Sequence, residues 1–218
     1  MEHGAGQSYG GRRTMAARHG AYAGGGGSRE AASLFLHPGP HPAARDRAAH
    51  PKARVEVVGA PILDTLPARE GDKGRVVALS FHFNAAISPE TKSAQTWIWP
   101  AVMALRERFD IIGHAHPRMA STMRKLYARA GIEFVPSFDD VCRRADLYVC
   151  DNSSTIFAFA ATGRPVVVLN PPWYSRDVDH GLRFWEAATV GVNCDDRATL
   201  GDCIEEALAD TPAQQAAR

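Results

Sequence analysis

The sequence predicts an α/β fold built on a doubly wound parallel sheet. Three observations carry this: short apolar runs recur from about residue 54 onward, helical patterns alternate with them, and most of the runs are continuous. An apolar run that does not alternate in polarity is a strand covered on both faces, so helices are expected on both sides of the sheet.

Strands are expected at residues 55–58, 76–81, 110–113, 132–135, 147–150 and 166–169, with a weaker one at 190–192. Helical patterns fill the intervals at residues 97–108, 119–130, 138–144, 154–162, 181–188 and 199–208. Gly131 and Gly163 follow two of these as C-cap glycines, and Pro165 then opens a strand. Three regions result. Residues 1–54 read as irregular chain, rich in Gly, Ala, Pro, His and Arg, with a glycine run at residues 24–27 and the stretch His37-Pro38-Gly39-Pro40-His41-Pro42. Residues 55–210 form the sheet domain, and the polar tail 211–218 is expected to fray into disorder.

With 218 residues, 45% of them hydrophobic and 22% charged, the chain can bury one full core and part of a second. A formal charge of +1 gives no global basic field for nucleic acid or an anionic membrane, so any anion is bound locally. No apolar run approaches the roughly 18 residues of a transmembrane helix, and the N-terminus lacks the apolar core of a signal peptide, so a cytoplasmic protein is expected. Cys142, Cys150, Cys194 and Cys203 show no metal-ligand spacing and read as reduced, structural thiols. The glycine run lacks the Gly-Lys-Ser/Thr ending of a phosphate loop.

Chemistry-bearing residues gather where strands are expected to end. After the strand at 147–150 comes Asp151-Asn152-Ser153-Ser154-Thr155, which opens a helix. Ligands of open α/β sheets sit at such places, where helix N-termini present free N–H groups and hydroxyls add donors for a phosphate. Asn152 and Ser153 would equally serve as plain helix caps. After the strand at 110–113 comes His114-Ala115-His116-Pro117-Arg118, with proline at the first helical position. His116 and Arg118 would stand at the same sheet edge as Ser153, where imidazole and guanidinium can meet one anion; simple capping by His114 and His116 is the alternative. His82 and Asn84 end a further strand, His3 lies in the N-terminal Glu2-His3-Gly4, and Arg183 lies in an aromatic helical pattern.

These segments resemble the CDP-glycerol glycerophosphotransferases. The resemblance rests on Asp151-Asn152-Ser153-Ser154 with the later Gly163-Arg164-Pro165, on His116-Pro117, on Val57-Val58-Gly59-Ala60-Pro61-Ile62-Leu63-Asp64, and more loosely on His3-Gly4. A more distant likeness is to UDP-N-acetylglucosamine 2-epimerases. The resemblance implies a Rossmann-like domain, the C-terminal half of a GT-B fold, with residues 1–54 as the end of an N-terminal domain and the crossover from it. It implies transfer of a glycerophosphate or glycosyl group from a nucleotide-activated donor to a hydroxyl acceptor, lipid-linked or polymeric in relatives that work at the inner membrane face. In that reading His3 is the acceptor-side base and His116 acts at the donor phosphates. Arg118, Asn152, Ser153, Ser154 and Thr155 hold those phosphates, while His82, Asn84, His114 and Arg183 line the cleft. No metal or other cofactor is called for, and a partner supplying the N-terminal domain is implied. The chain departs from the pattern at Ala158, where many relatives carry Glu, so the donor's identity stays open. A non-catalytic nucleotide-binding module and a 2-epimerase-like isomerase are the rival readings; the Phe157-Ala158-Phe159 stretch lacks the paired Glu residues expected of the latter.

Overall fold

The continuous apolar runs become the strands of one parallel sheet. The computed structural model describes residues 31–71, 74–84, 92–151, 153–174 and 190–218. Its strands are β1 (Leu34–His37), β2 (Arg54–Val57), β3 (Val76–Phe81), β4 (Asp110–Ala115), β5 (Glu133–Phe134), β6 (Leu147–Cys150), β7 (Val166–Leu169) and β8 (Val192–Cys194). The helices are α1 (Pro40–Ala49), α2 (Gln95–Leu105), α3 (Ala120–Arg129), α4 (Phe138–Arg144), α5 (Thr155–Ala160), α6 (Leu200–Leu208) and α7 (Pro212–Ala217).

Six strands pair in the order β5-β4-β3-β6-β7-β8, every pair parallel. From β3 the chain winds outward to β5, returns, and winds the other way from β6 to β8. The direction therefore switches between β3 and β6, the place where open α/β sheets leave a crevice at their carboxyl edge.

Alternate residues of each strand feed two cores. Val77, Leu79, Phe81, Leu147, Val149, Val167 and Leu169 pack with Ile98 and Val102 of α2, Met123 and Tyr127 of α3 and Ile204 of α6. Ala78, Tyr148, Cys150, Val166 and Val168 pack on the other face with Val141 of α4 and Ile156 and Phe159 of α5. Helices on both faces explain the continuous apolar runs. Tyr127 presses so close to β4 that a Cβ at Gly113 would lie 2.5 Å from its ring. Its hydroxyl donates to Leu79 O at 2.8 Å and His114 O at 3.2 Å, fastening β3 to β4. Gly131 and Gly163 both take positive φ, +66° and +79°, as the expected C-cap glycines after α3 and α5. None of the four cysteines is in a disulfide, and all four are buried.

Three expectations need correction. The stretch read as irregular up to residue 54 holds β1 and α1, because Pro40 falls in the first helical turn, where proline's fixed φ suits a helix and its missing N–H costs nothing. The strand expected at 55–58 forms, but as β2 it pairs with β1 in a separate two-stranded parallel sheet and does not enter the six-stranded one. The tail read as disordered forms α7, started by a reciprocal capping box between Thr211 and Gln214. Arg218 fixes its far end, donating to Gly163 O at 2.9 Å and Asp210 Oδ1 at 2.6 Å. The helix expected at 181–188 lies outside the described residues. Among the described residues, no helix is long and apolar enough to cross a membrane.

Candidate functional site

Strands β4, β3 and β6 lie side by side and parallel, so their carboxyl ends bring His116, His82 and Asp151 to one edge of the sheet, at the switch point. Adjacent strands are about 4.8 Å apart, which puts these side chains within reach of one small ligand.

On the β3–β4 side an aromatic group assembles. The Phe83 ring stacks on His82 with centroids 4.3 Å apart and meets His116 at 4.5 Å; the two imidazoles are 5.8 Å apart. The Arg118 guanidinium sits 4.8 Å over the opposite partner in this group, the Phe83 ring, in cation–π contact. His116 caps the short 3-10 turn Pro117–Met119, its Nδ1 accepting from Arg118 N at 3.2 Å. An accepting Nδ1 puts the ring proton of the neutral imidazole on Nε2, making that atom a hydrogen-bond donor. The capping role and a ligand-facing role are thus compatible, since each uses a different nitrogen.

On the β6 side a ladder of hydroxyls rises from the core. Buried Tyr148 bonds Thr155 Oγ1 through its OH at 2.9 Å, Thr155 Oγ1 bonds Ser153 Oγ at 2.7 Å, and Ser153 Oγ accepts from Thr155 N at 3.3 Å. Burial drives the Tyr148 phenol well above its usual range, so the ladder stays neutral. Ser154 is the N-cap residue of α5 by its backbone, and its side chain makes no capping bond. Ser153 and Thr155 therefore hold the turn in shape, and Ser154 contributes a hydroxyl that the cap does not consume.

Asp151 joins the two sides. Its carboxylate is fully buried. Oδ1 accepts from His82 N at 2.7 Å, and Oδ2 accepts from Ala94 N at 2.8 Å and Ser93 Oγ at 3.4 Å. Asn84, half of the pair expected to line the cleft, accepts through Oδ1 from Ser93 N at 2.7 Å. One carboxylate thus ties the end of β6 to the end of β3 and to the start of α2.

The structure brings His82, Asn84, His116, Arg118, Ser153, Ser154 and Thr155 to this edge. His114 is placed differently: it is buried in β4, its Nδ1 2.9 Å from Val135 O and its ring beside Phe138. Burial pushes its pKa down, opposed in part by the bond to Val135. Its partners belong to the core, which removes it from the residues facing the edge. His3, Asn152 and Arg183 lie outside the described residues. Phe83, Ser93 and Tyr127 were not singled out from the sequence, and Asp151, quoted in the motif, was given no role there. The available signal was Asp151's position: it is the first polar residue after a fully buried strand, next to the switch point.

Comparison with known proteins agrees with this architecture. No curated protein matches the chain significantly. Among solved structures, the wall teichoic acid polymerase TagF matches with a TM-score of 0.51 and 14% identity, over 85% of this chain and 52% of that one. A histidine-to-asparagine variant of TagF soaked with CDPG matches with a TM-score of 0.49 and 15% identity, over 84% of this chain and 50% of that one. The match at a TM-score of 0.51 shows the fold alone, and the chain spans about half the length of both structures. The family model described as CDP-Glycerol:Poly(glycerophosphate) glycerophosphotransferase matches residues 101–218, more than half of the chain and the part that carries β4, the hydroxyl ladder and Asp151. On that match, the chain belongs to the CDP-glycerol:poly(glycerophosphate) glycerophosphotransferase family.

Proposed function

We propose that this chain is the donor-binding half of a transferase that moves glycerophosphate from CDP-glycerol, or a related group from a nucleotide donor, to a hydroxyl acceptor. What supports the reading is that the His82–Phe83–His116–Arg118 group and the Ser153–Ser154–Thr155 turn follow the carboxyl ends of the neighbouring strands β4, β3 and β6, linked through Asp151, at the switch point of a parallel sheet. Family membership supplies the chemistry for which such a site is suited.

A diphosphate at this edge meets the Arg118 guanidinium, the Nε2 donor of His116 and the Ser154 hydroxyl. When the bond to the leaving nucleotide phosphate breaks, negative charge grows on that phosphate, and a cation and a ring N–H already in place stabilise it without reorganising. The acceptor hydroxyl loses its proton to a base; His3 is the candidate by family resemblance. An N-terminal domain, in the same polypeptide or in a partner, then completes the acceptor side. A polymeric hydroxyl acceptor at the cytoplasmic membrane face fits this reading.

Calorimetric titration with CDP-glycerol, CDP, UDP and UDP-sugars tests it. One nucleotide is expected to bind, with the affinity falling about tenfold or more in Ser154→Ala and in His116→Ala, as loss of one charge-assisted bond to phosphate requires. Absence of binding by the folded wild-type chain to all four would sink the donor-site reading.

A further inference from the structure

We propose that Asp151 is a positioning residue of this site: its carboxylate sets where the His82–Phe83–His116 group stands relative to the Ser153–Ser154 turn. The functional half of the inference rests on the donor-site reading above; the geometric half does not.

Asp151 leaves β6 two residues before Ser153, so whatever fixes its carboxylate also fixes the start of that turn. The carboxylate is fully buried and receives two backbone N–H groups from elements distant in sequence, His82 at the end of β3 and Ala94 at the start of α2, with the Ser93 hydroxyl as a third donor and the adjacent Cys150 thiol 3.9 Å from Oδ1. His82 and Ala94 are also the flanks of the connection from β3 to α2. Asn84 tightens the same connection by accepting from Ser93 N, and the Tyr174 hydroxyl donates to Lys92 O at 2.6 Å. One side chain thereby decides the height of His82 above the sheet edge. His82 carries the position onward through its stack on Phe83, on which His116 and Arg118 rest.

Both oxygens face N–H donors, so the site requires a carboxylate and not only its shape. In Asp151→Asn one N–H must face an amide NH2, and the bond on that side is lost or the side chain turns away. His82 or Ala94 then shifts, with the aromatic group behind it.

The test uses the full 218-residue chain. Imidazole signals are read by NMR in wild type and in Asp151→Asn, alongside CDP-glycerol binding by calorimetry. Because Phe83 lies 4.3 Å and 4.5 Å from the rings of His82 and His116, their signals carry its ring current. The expected result is displaced His82 and His116 signals, an unmoved His114 signal held by Val135, and CDP-glycerol binding weaker by about tenfold. A merely structural role would move all three histidines together with the melting curve. Unchanged His82 and His116 signals overturn the proposal, whatever the affinity. Displaced signals in a chain whose wild type binds no nucleotide uphold the positioning and reject the donor-site reading instead. Should Asp151→Asn fail to fold, Ser93→Ala decides: losing the third donor is expected to displace the same two signals by less, and no displacement overturns the proposal.

Discussion

Two carboxylates among the described residues are fully buried, Asp151 at the edge of the six-stranded sheet and Asp46 in the small β1–α1–β2 unit, and they are held by opposite means. Asp151 is held chiefly by backbone N–H groups, with the Ser93 hydroxyl and the Cys150 thiol as weaker, uncharged donors. Asp46 is held by imidazoles: His37 Nε2 lies 2.8 Å from one of its oxygens and His50 Nε2 4.0 Å from the other, with Phe35 stacked on both rings. The first arrangement is fixed by main-chain geometry. The second depends on the placement of side chains from β1 and from the end of α1. The comparison teaches that a buried acid held by the backbone suits a site that must keep its shape, whereas one held by side chains is only as fixed as those side chains.

Removing the acids separates the two cases. Asp151→Ala leaves the buried N–H groups of His82 and Ala94 without an acceptor, which costs about 2–5 kcal/mol and is expected as a lower urea midpoint followed by circular dichroism. Asp46→Ala is expected to cost less, about 1–2 kcal/mol, because the His37 and His50 side chains can rotate where a main-chain N–H cannot. Hydrogen exchange at β1 and β2 amides reads it locally. An equal or larger effect at Asp46 would break the comparison.

His114 sharpens it from the other direction. Burial lowers its pKa in the folded chain, so the unfolded chain takes up this proton first as the pH falls. The sign follows: the contribution to stability is intact above the unfolded value of 6.5 and is lost as the pH falls through the window below it, until the folded residue also protonates. His114→Gln is therefore expected to lose less stability than wild type as the pH falls through the window below 6.5, measured by urea melts at each pH. The smallest effect is expected at the C-terminus. Thr211→Ala removes one arm of the capping box of α7, about 0.5–1 kcal/mol, and is read as faster exchange at Gln214 and Gln215.

Much of the six-stranded sheet was legible because its cause is local. Four-residue runs such as Leu147–Cys150 and Val166–Leu169 are apolar on both faces, and a parallel strand covered by helices needs that. The small unit was not legible, because its prolines and histidines read as loop, and only packing reveals that Pro40 starts a helix and that His37 and His50 close over Asp46. The tail was misread for a similar reason. Its polar composition suggested fraying, whereas the Thr211–Gln214 box and the reach of Arg218 to Gly163 O hold it in place.

For the site, the sequence by itself determined the residue types and the strand ends at which they stand: His116 and Arg118 after β4, Ser153 to Thr155 after β6, His82 and Asn84 after β3. Motif spacing sufficed for that, since a strand end is a local event. Only the tertiary structure decided which of these residues share a surface. Strand order put β3 between β4 and β6, close packing gave Phe83 to both histidines, and His114 was drawn into the core by Val135. Asp151 shows the reason most clearly, because its hydrogen bonds span 69 and 57 residues of sequence, and a contact across that distance exists only once the sheet has closed.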